Sequence, residues 1–240
     1  MNQYYESPNQ EVVSPKSSSG TLSFAKVFFY MFIGLAITTG VAFGVGALLV
    51  YKCPDIKTFQ NVYLGVMIGS GISLIIMTFV INLVFLRGRH SILVPALIYC
   101  LLMGTLLSSF TIFIDWWLLG MAFGITCGVF LLMTLIAVIS RGNMSPLAML
   151  GIGLLMGSGI LILTNFLIRS STLSWVISFA IFAAIIFIPV FDIWNIKKIC
   201  ERGEMSTNLE LYCAFTLYVD FIYILIRVLY VLILIYGKSK

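Results

Sequence analysis

Seven long apolar segments follow one another along this chain and constrain its fold more than any other feature. Each is long enough for the roughly 20 helical residues that cross a bilayer core of about 30 Å. Because lipid offers no partner to an unpaired backbone group, a spanning segment must be helical. The segments therefore predict an all-α integral membrane protein with seven transmembrane helices, approximately over Ala25–Tyr51, Val62–Leu86, Ile92–Ile114, Trp116–Ile139, Leu147–Ile168, Leu173–Ile196 and Leu211–Tyr236.

The composition agrees with a lipid environment and leaves little room for other classes of protein. Hydrophobic residues make up 61% of the chain and charged residues 10%, against about 25% charged in soluble domains. The five cysteines form no Cys-x-x-Cys pair, which argues against a zinc site or a disulfide framework. The single histidine, His90, lies in a basic loop and is interpreted as a solvated interfacial residue. The net charge of +5 is modest and indicates membrane topology, with no nucleic-acid partner.

The chain divides into a polar tail and one transmembrane domain. Residues 1–23 are rich in Ser, Pro and Asn and predict a disordered tail, followed by a single seven-helix domain over residues 24–240. Basic residues set the orientation of such a domain, because cytoplasmic loops carry an excess of Lys and Arg. The count is eight on the side of the amino terminus against five on the other, so the amino terminus is predicted to be cytoplasmic: Lys16, Lys26, Arg87, Arg89, Arg141, Lys197, Lys198 and Arg202, against Lys52, Lys57, Arg169, Lys238 and Lys240.

Glycine pairs at four-residue spacing occur in three of the predicted helices. This spacing lets two membrane helices approach closely. No strand or lysine context accompanies the glycines, so we interpret them as packing positions with no role in phosphate binding. The pairs are Gly40–Gly44, Gly65–Gly69 and Gly153–Gly157.

The most informative residues are three charges inside the last two apolar segments: Asp192, Asp220 and Arg227. A charge at the bilayer centre costs at least about 2.5 kcal/mol, so such residues are functional by default. Asp220 lies roughly ten residues from either interface, whereas Asp192 precedes Lys197 by only five residues. If the two aspartates meet, the sixth helix must continue past Lys197 and Lys198.

Two interpretations of these charges are open. Two adjacent carboxylates in a medium of low dielectric constant cannot both ionise cheaply, so they share a proton and titrate as a pair. Loss of that proton creates repulsion, or a weak calcium site, since calcium prefers six to eight oxygen ligands. Alternatively, Asp220 forms a structural ion pair with Arg227, which follows it by seven residues on nearly the same helical face. No nucleophile and base pair, phosphate loop or metal-ligand cluster is visible, so we expect neither an enzyme nor a tightly bound cofactor.

The two aspartate segments resemble the signature of the transmembrane Bax inhibitor motif family. In that family the sixth helix ends in a Tyr-Asp-x-x-x-Ile/Leu-like stretch, here residues 191–196, Phe-Asp-Ile-Trp-Asn-Ile. The seventh helix carries Leu-Tyr-Leu-Asp-Phe-Ile-Asn, here residues 217–223, Leu-Tyr-Val-Asp-Phe-Ile-Tyr. The chain departs from the family at Tyr223, which replaces Asn, and at Tyr230, which replaces an arginine of the last helix, with Arg227 one turn earlier.

The resemblance implies a ring of six helices around a central seventh, with Asp192 and Asp220 as a pH-sensing dyad. It also implies that an arginine near the end of the second helix latches onto the dyad, and Arg87 is the nearest candidate. Family members are linked to pH-dependent calcium leak and, in eukaryotes, to suppression of cell death. Bacterial relatives are associated with a membrane protease.

We therefore expect a pH-gated cation pathway in a bacterial plasma membrane, with calcium as permeant ion and the lipid bilayer, calcium and protons as partners. Asp192 and Asp220 would also form a weak, transient calcium site. An alternative is a regulator that binds a membrane protease or acts in a stress or cell-death pathway without transporting ions. A third, a proton-coupled transporter, predicts internal repeats with broken helices, and the two halves show no convincing repeat.

Overall fold

The computed structural model describes residues 17–52, 56–87, 91–168, 171–203 and 205–236. Within these residues the chain forms seven α-helices, and each is long and apolar enough to cross a membrane. The predicted all-α, seven-helix membrane fold is confirmed. The helices are α1 (Ser17–Lys52), α2 (Ile56–Arg87), α3 (Leu93–Phe113), α4 (Trp116–Ile139), α5 (Ser145–Ile168), α6 (Ser171–Arg202) and α7 (Thr207–Tyr236).

Two helix boundaries differ from the sequence prediction in ways that matter. Helix α1 begins at Ser17, so residues 17–23, predicted to be disordered, are helical, and the rest of the predicted tail lies outside the described residues. The apolar count underestimates α1 because polar residues at a helix end can lie outside the hydrocarbon core. Helix α6 continues through Lys197 and Lys198 to Arg202, as a meeting of the two aspartates requires.

A left-handed glycine ends α6 and directs the chain back toward α7. Gly203 has a φ of 71°, a conformation that glycine adopts without steric cost. Its backbone N–H donates to the Cys200 carbonyl at 3.1 Å. At the start of α7, the Ser206 hydroxyl oxygen accepts a hydrogen bond from the backbone N–H of Leu209 at 3.3 Å and so caps the helix. Helices α6 and α7 thus form a hairpin.

Helix α7 is the most deeply packed of the seven. It packs against α1, α3, α4 and α6, and the Tyr212 ring stacks on Phe85 of α2 at 3.9 Å between ring centroids. The Tyr218 hydroxyl lies 2.6 Å from the Thr38 hydroxyl, which ties the middle of α7 to α1. These contacts place α7 inside the bundle, and a complete ring of six helices around it stays a prediction.

Glycine brings helices together at positions other than the predicted pairs. A methyl group added to Gly104 would lie 2.8 Å from the Thr38 carbonyl oxygen, and one added to Gly151 would lie 2.8 Å from the Ile188 side chain. These two glycines therefore hold α3 against α1 and α5 against α6. At the predicted pairs an added methyl group would meet nothing within 4 Å, so the packing predicted there is wrong for the described residues: Gly40, Gly44, Gly65, Gly69, Gly153 and Gly157.

Candidate functional site

The structure brings Asp192 and Asp220 together where α6 packs against α7. Their carboxyl groups lie within hydrogen-bonding contact of each other. Since Asp192 lies about ten residues before the end of α6, the extension of this helix sets it about 15 Å inside the helix terminus. Both carboxyl groups are therefore well inside their membrane-spanning helices.

The residues next to the two aspartates in the sequence are packed in the interior of the bundle. Ile193 and Leu217 are fully buried, and Phe221 is almost so. The Oδ2 atom of Asp220 is buried and has no hydrogen-bond partner in the described structure. A carboxylate has no hydrogen to donate, so the contact with Asp192 becomes a hydrogen bond only when one of the two groups is protonated. A buried acceptor left without a partner is costly, and a shared proton removes that cost.

Arg227 does not neutralise Asp220. Its Nη2 atom donates to the carbonyl oxygen of Ser178 in α6 at 2.7 Å, and its Nε atom is buried without a partner. Within the described residues, the ion pair that forms joins Lys197 and Glu201, with 3.8 Å between Nζ and Oε1. The Asp220–Arg227 ion pair that the sequence left open, with Arg227 as counter-charge, is therefore not formed. Seven residues correspond to about 10 Å along a helix, and the guanidinium extends toward α6 instead.

Arg87, the candidate latch, also makes no ion pair with the aspartates. It is the last residue of α2, and its side chain is exposed. Helix α2 reaches α7 about one turn earlier, where the Tyr212 hydroxyl donates to Oδ1 of Asn82 at 3.1 Å. Arg87 takes no part in these contacts and forms no ion pair in the described structure, so the latch is absent from this arrangement.

One buried acid was missed by the sequence analysis. Glu210 is only 5% exposed and lies in the first turn of α7. Counting apolar residues placed the start of this helix at Leu211, which put Glu210 in a loop. The cap residue Ser206 was the available signal, because a serine just before a helix marks its start. Glu210 therefore places a second carboxyl group on α7, about three turns before Asp220.

The described residues contain no group of three or more His, Cys, Asp or Glu side chains arranged to hold a metal ion. The two carboxyl groups alone offer at most four oxygen atoms, fewer than the six to eight that calcium prefers. The pair can contact a calcium ion in passage but is poorly suited to hold one. This geometry fits the weak, transient site expected from the sequence, and calcium binding there stays a prediction.

Comparison with known proteins gives one match. The family model described as "Inhibitor of apoptosis-promoting Bax1" matches residues 21–236, which includes all seven apolar segments. No curated protein matches the chain, and no solved structure does.

Proposed function

The chain belongs to the family of inhibitors of apoptosis-promoting Bax1, and we propose that it is a pH-sensitive cation leak channel with calcium as the permeant ion. The observation that carries this proposal is the contact between the carboxyl groups of Asp192 and Asp220. No basic side chain forms an ion pair with either group among the described residues. Their charge state is therefore set by protons and by any cation that enters.

The closed state is the one in which the pair holds a proton. A hydrogen bond from the protonated carboxyl group to its neighbour joins α6 to α7. If both groups lose their protons, two negative charges about 4 Å apart repel by about 4 kcal/mol at an effective dielectric constant of 20. Repulsion of that size exceeds a typical net hydrogen-bond contribution of about 1 kcal/mol, so the contact between the helices opens.

The sign of the pH response follows from this scheme. Below neutral pH the shared proton is retained and the contact between α6 and α7 stays closed. As pH rises, the proton is lost, the helices separate and two carboxylates face the pathway. We therefore expect cation flux to increase with pH, with the carboxylates attracting a divalent cation and binding it weakly enough to release it.

The setting that we propose is a bacterial plasma membrane with the amino terminus in the cytoplasm. Lys197 and Lys198 lie near the carboxyl end of α6, which we assign to the same side of the membrane as the amino terminus of the chain. Lys197 donates to the Val138 carbonyl at 2.6 Å, and the Lys198 ammonium lies 3.9 Å from the centroid of the Trp194 ring. Basic residues in such positions are typical of the cytoplasmic interface.

The experiment is calcium flux into proteoliposomes between about pH 6 and pH 8, with wild type, Asp192→Asn and Asp220→Asn. An asparagine amide donates to the remaining carboxylate at every pH, so both variants should show low flux without pH dependence. Glu201→Gln is the matched control, because it makes the same change on α6 at a side chain that is 62% exposed. Wild-type protein that is folded and carries no flux at any pH would overturn the proposal.

A second candidate is a membrane regulator that binds another membrane protein, such as a protease or a component of a stress or cell-death pathway. The observation that favours it is the position of α5, which packs against α6 alone among the closely packed helix pairs of the described residues. Gly153 and Gly157 of α5 face open space, and small residues at this spacing favour helix association in membranes.

The two candidates differ in the variants that affect them. Gly153→Leu together with Gly157→Leu should abolish co-purification of a membrane partner while leaving calcium flux unchanged. Replacement of both aspartates by asparagine should change calcium flux and leave co-purification of the partner unchanged. If the aspartate variant alters neither flux nor pH response and the glycine variant loses a protease partner, the regulator is the correct function.

A further inference from the structure

A cavity of about 300 Å³ lies between α1, α3, α4 and α7, apart from the carboxyl pair. Cavities of this volume accept small ligands when apolar and aromatic side chains line them, and an apolar cavity of half this volume holds benzene. Its lining comes from all four helices and includes Leu35, Phe43, Leu107, Gly120, Phe123 and Leu225. Neither aspartate lines it, so this cavity is separate from the proposed gate.

The cavity is suited to an apolar occupant and offers little to an ion. Its three hydroxyl groups belong to Thr38, Thr39 and Thr111. Thr39 donates to the Leu35 carbonyl at 2.8 Å, and Thr111 donates to the Ser108 carbonyl at 2.8 Å. Thr38 lies 3.3 Å from the Cys100 carbonyl and 2.6 Å from the Tyr218 hydroxyl. Each hydroxyl is therefore already bonded within the protein, and the remaining lining is almost entirely hydrocarbon.

The cavity is bordered on one side by a gap between α1 and α4. Both helices pack against α7, but they are not among the closely packed helix pairs of the described residues. Aromatic contacts bridge them at two levels: Phe43 stacks on Trp116 at 5.0 Å, and Phe28 meets Phe130 edge-on at 6.4 Å. The fourteen or fifteen residues between these contacts correspond to about 20 Å of helix.

Residues of α1 and α4 that line the cavity are only partly covered by other side chains. Thr39 on α1 and Gly120 on α4 line the cavity and are exposed, and Phe123 is 43% exposed. A methyl group added to Gly120 would meet nothing within 4 Å. The cavity lining on α1 and α4 is therefore left partly uncovered by the packed helices.

We propose that one acyl chain of a bilayer phospholipid enters between α1 and α4 and occupies this cavity. The surrounding membrane supplies acyl chains at the gap itself, and the gap is long enough for an extended chain to lie along it. Because the lining is apolar, water and ions compete poorly with the acyl chain for the cavity. Phe221, Ile222 and Leu225 of α7 line the cavity, so the bound chain contacts the helix that carries Asp220.

The test is native mass spectrometry of the full chain in mild detergent, titrated with palmitoyl-oleoyl phosphatidylglycerol or with free oleate. Gly120→Phe fills the cavity from α4 and Thr39→Phe fills it from α1, so that a fault in one variant does not decide the result. Gly124→Phe is the matched control, because Gly124 also meets nothing within 4 Å and does not line the cavity. Size-exclusion profiles establish that each variant is folded.

We expect wild type and Gly124→Phe to retain one phosphatidylglycerol with similar affinity. Gly120→Phe and Thr39→Phe should each bind it at least about tenfold more weakly, a loss of 1.4 kcal/mol. Equal retention by all four proteins would mean that the lipid binds only at the outer surface and would overturn the proposal. Tight binding of oleate without phosphatidylglycerol would overturn the assignment to a phospholipid.

Discussion

Arg227 of α7 donates a hydrogen bond from Nη2 to the backbone carbonyl oxygen of Ser178 in α6, at 2.7 Å. This bond joins the two helices about two turns from Asp220, on the far side of the carboxyl pair from the amino terminus. In the proposed pathway, a fixed positive charge at that level would repel a cation that has passed the aspartates. We therefore expect Arg227 to limit cation passage in the proposed channel, and it does not pair with Asp220.

Replacing Arg227 should accordingly increase flux. We expect Arg227→Gln to raise calcium flux in proteoliposomes by about threefold or more, since one unit charge near the pathway is removed, while the pH dependence persists. Arg227→Lys keeps the charge and should behave like wild type. Unchanged flux in folded Arg227→Gln protein would show that the pathway does not pass this residue.

The carboxyl pair should also control stability as a function of pH. If the pair shares a proton as proposed, its loss on going from about pH 6 to pH 8 would leave two repelling charges and destabilise the α6–α7 contact. We expect Asp220→Asn to be more stable than wild type at the higher pH, by about 1 kcal/mol or more, and equal to it at the lower pH.

Unfolding of the protein in detergent at the two pH values measures this difference. Adding Asp192→Asn to Asp220→Asn should bring no further gain at high pH, because a single substitution already removes the repulsion. Two additive gains would mean that the carboxyl groups act independently.

Arg87 provides a test of the latch that the family resemblance implies. Since its exposed side chain makes no ion pair with Asp192 or Asp220, we expect Arg87→Gln to leave the pH profile of calcium flux unchanged within about twofold. A shift of the profile comparable to that of Asp220→Asn would show that Arg87 reaches the pair in another conformation.

Two glycines that look alike in the sequence should respond differently to the same substitution. In Gly104→Ala the new methyl group would lie 2.7 Å from the Val41 side chain and 2.8 Å from the Thr38 carbonyl, so we expect a loss of about 2 kcal/mol from overpacking. Gly124→Ala meets nothing within 4 Å and should be neutral or stabilising by up to about 1 kcal/mol. Unfolding in detergent compares them, and equal stabilities would contradict the α1–α3 packing.

The membrane spans and the two aspartates inside them could be predicted from the sequence, for clear physical reasons. Lipid excludes unpaired backbone, so apolar length predicts helix directly, and α4 matches its prediction at Trp116 and Ile139. Asp192 and Asp220 were identified because an acid in an apolar run is costly. Their contact could be predicted only on the condition that α6 extends beyond Lys198. The helix does extend beyond it, to Arg202.

Other features depend on which way a side chain faces, and spacing alone does not contain that information. Glycines four residues apart share a helical face, but the sequence does not say whether another helix lies against that face, so Gly40 and Gly44 were assigned wrongly to packing. Likewise, two turns of helix bring Asp220 and Arg227 to similar angles, yet the axial distance and the Ser178 carbonyl decide the partner.

The turn at Gly203 has a consequence for the biogenesis of the protein. Because α7 begins soon after α6 ends, the two helices can leave the translocation machinery as one hairpin. An isolated acid costs at least about 2.5 kcal/mol at the centre of a bilayer, and on a hairpin we expect Asp192 and Asp220 to meet before lipid surrounds either. We therefore expect the short connection between α6 and α7 to lower the cost of joint insertion of the two aspartates below that of two separate insertions.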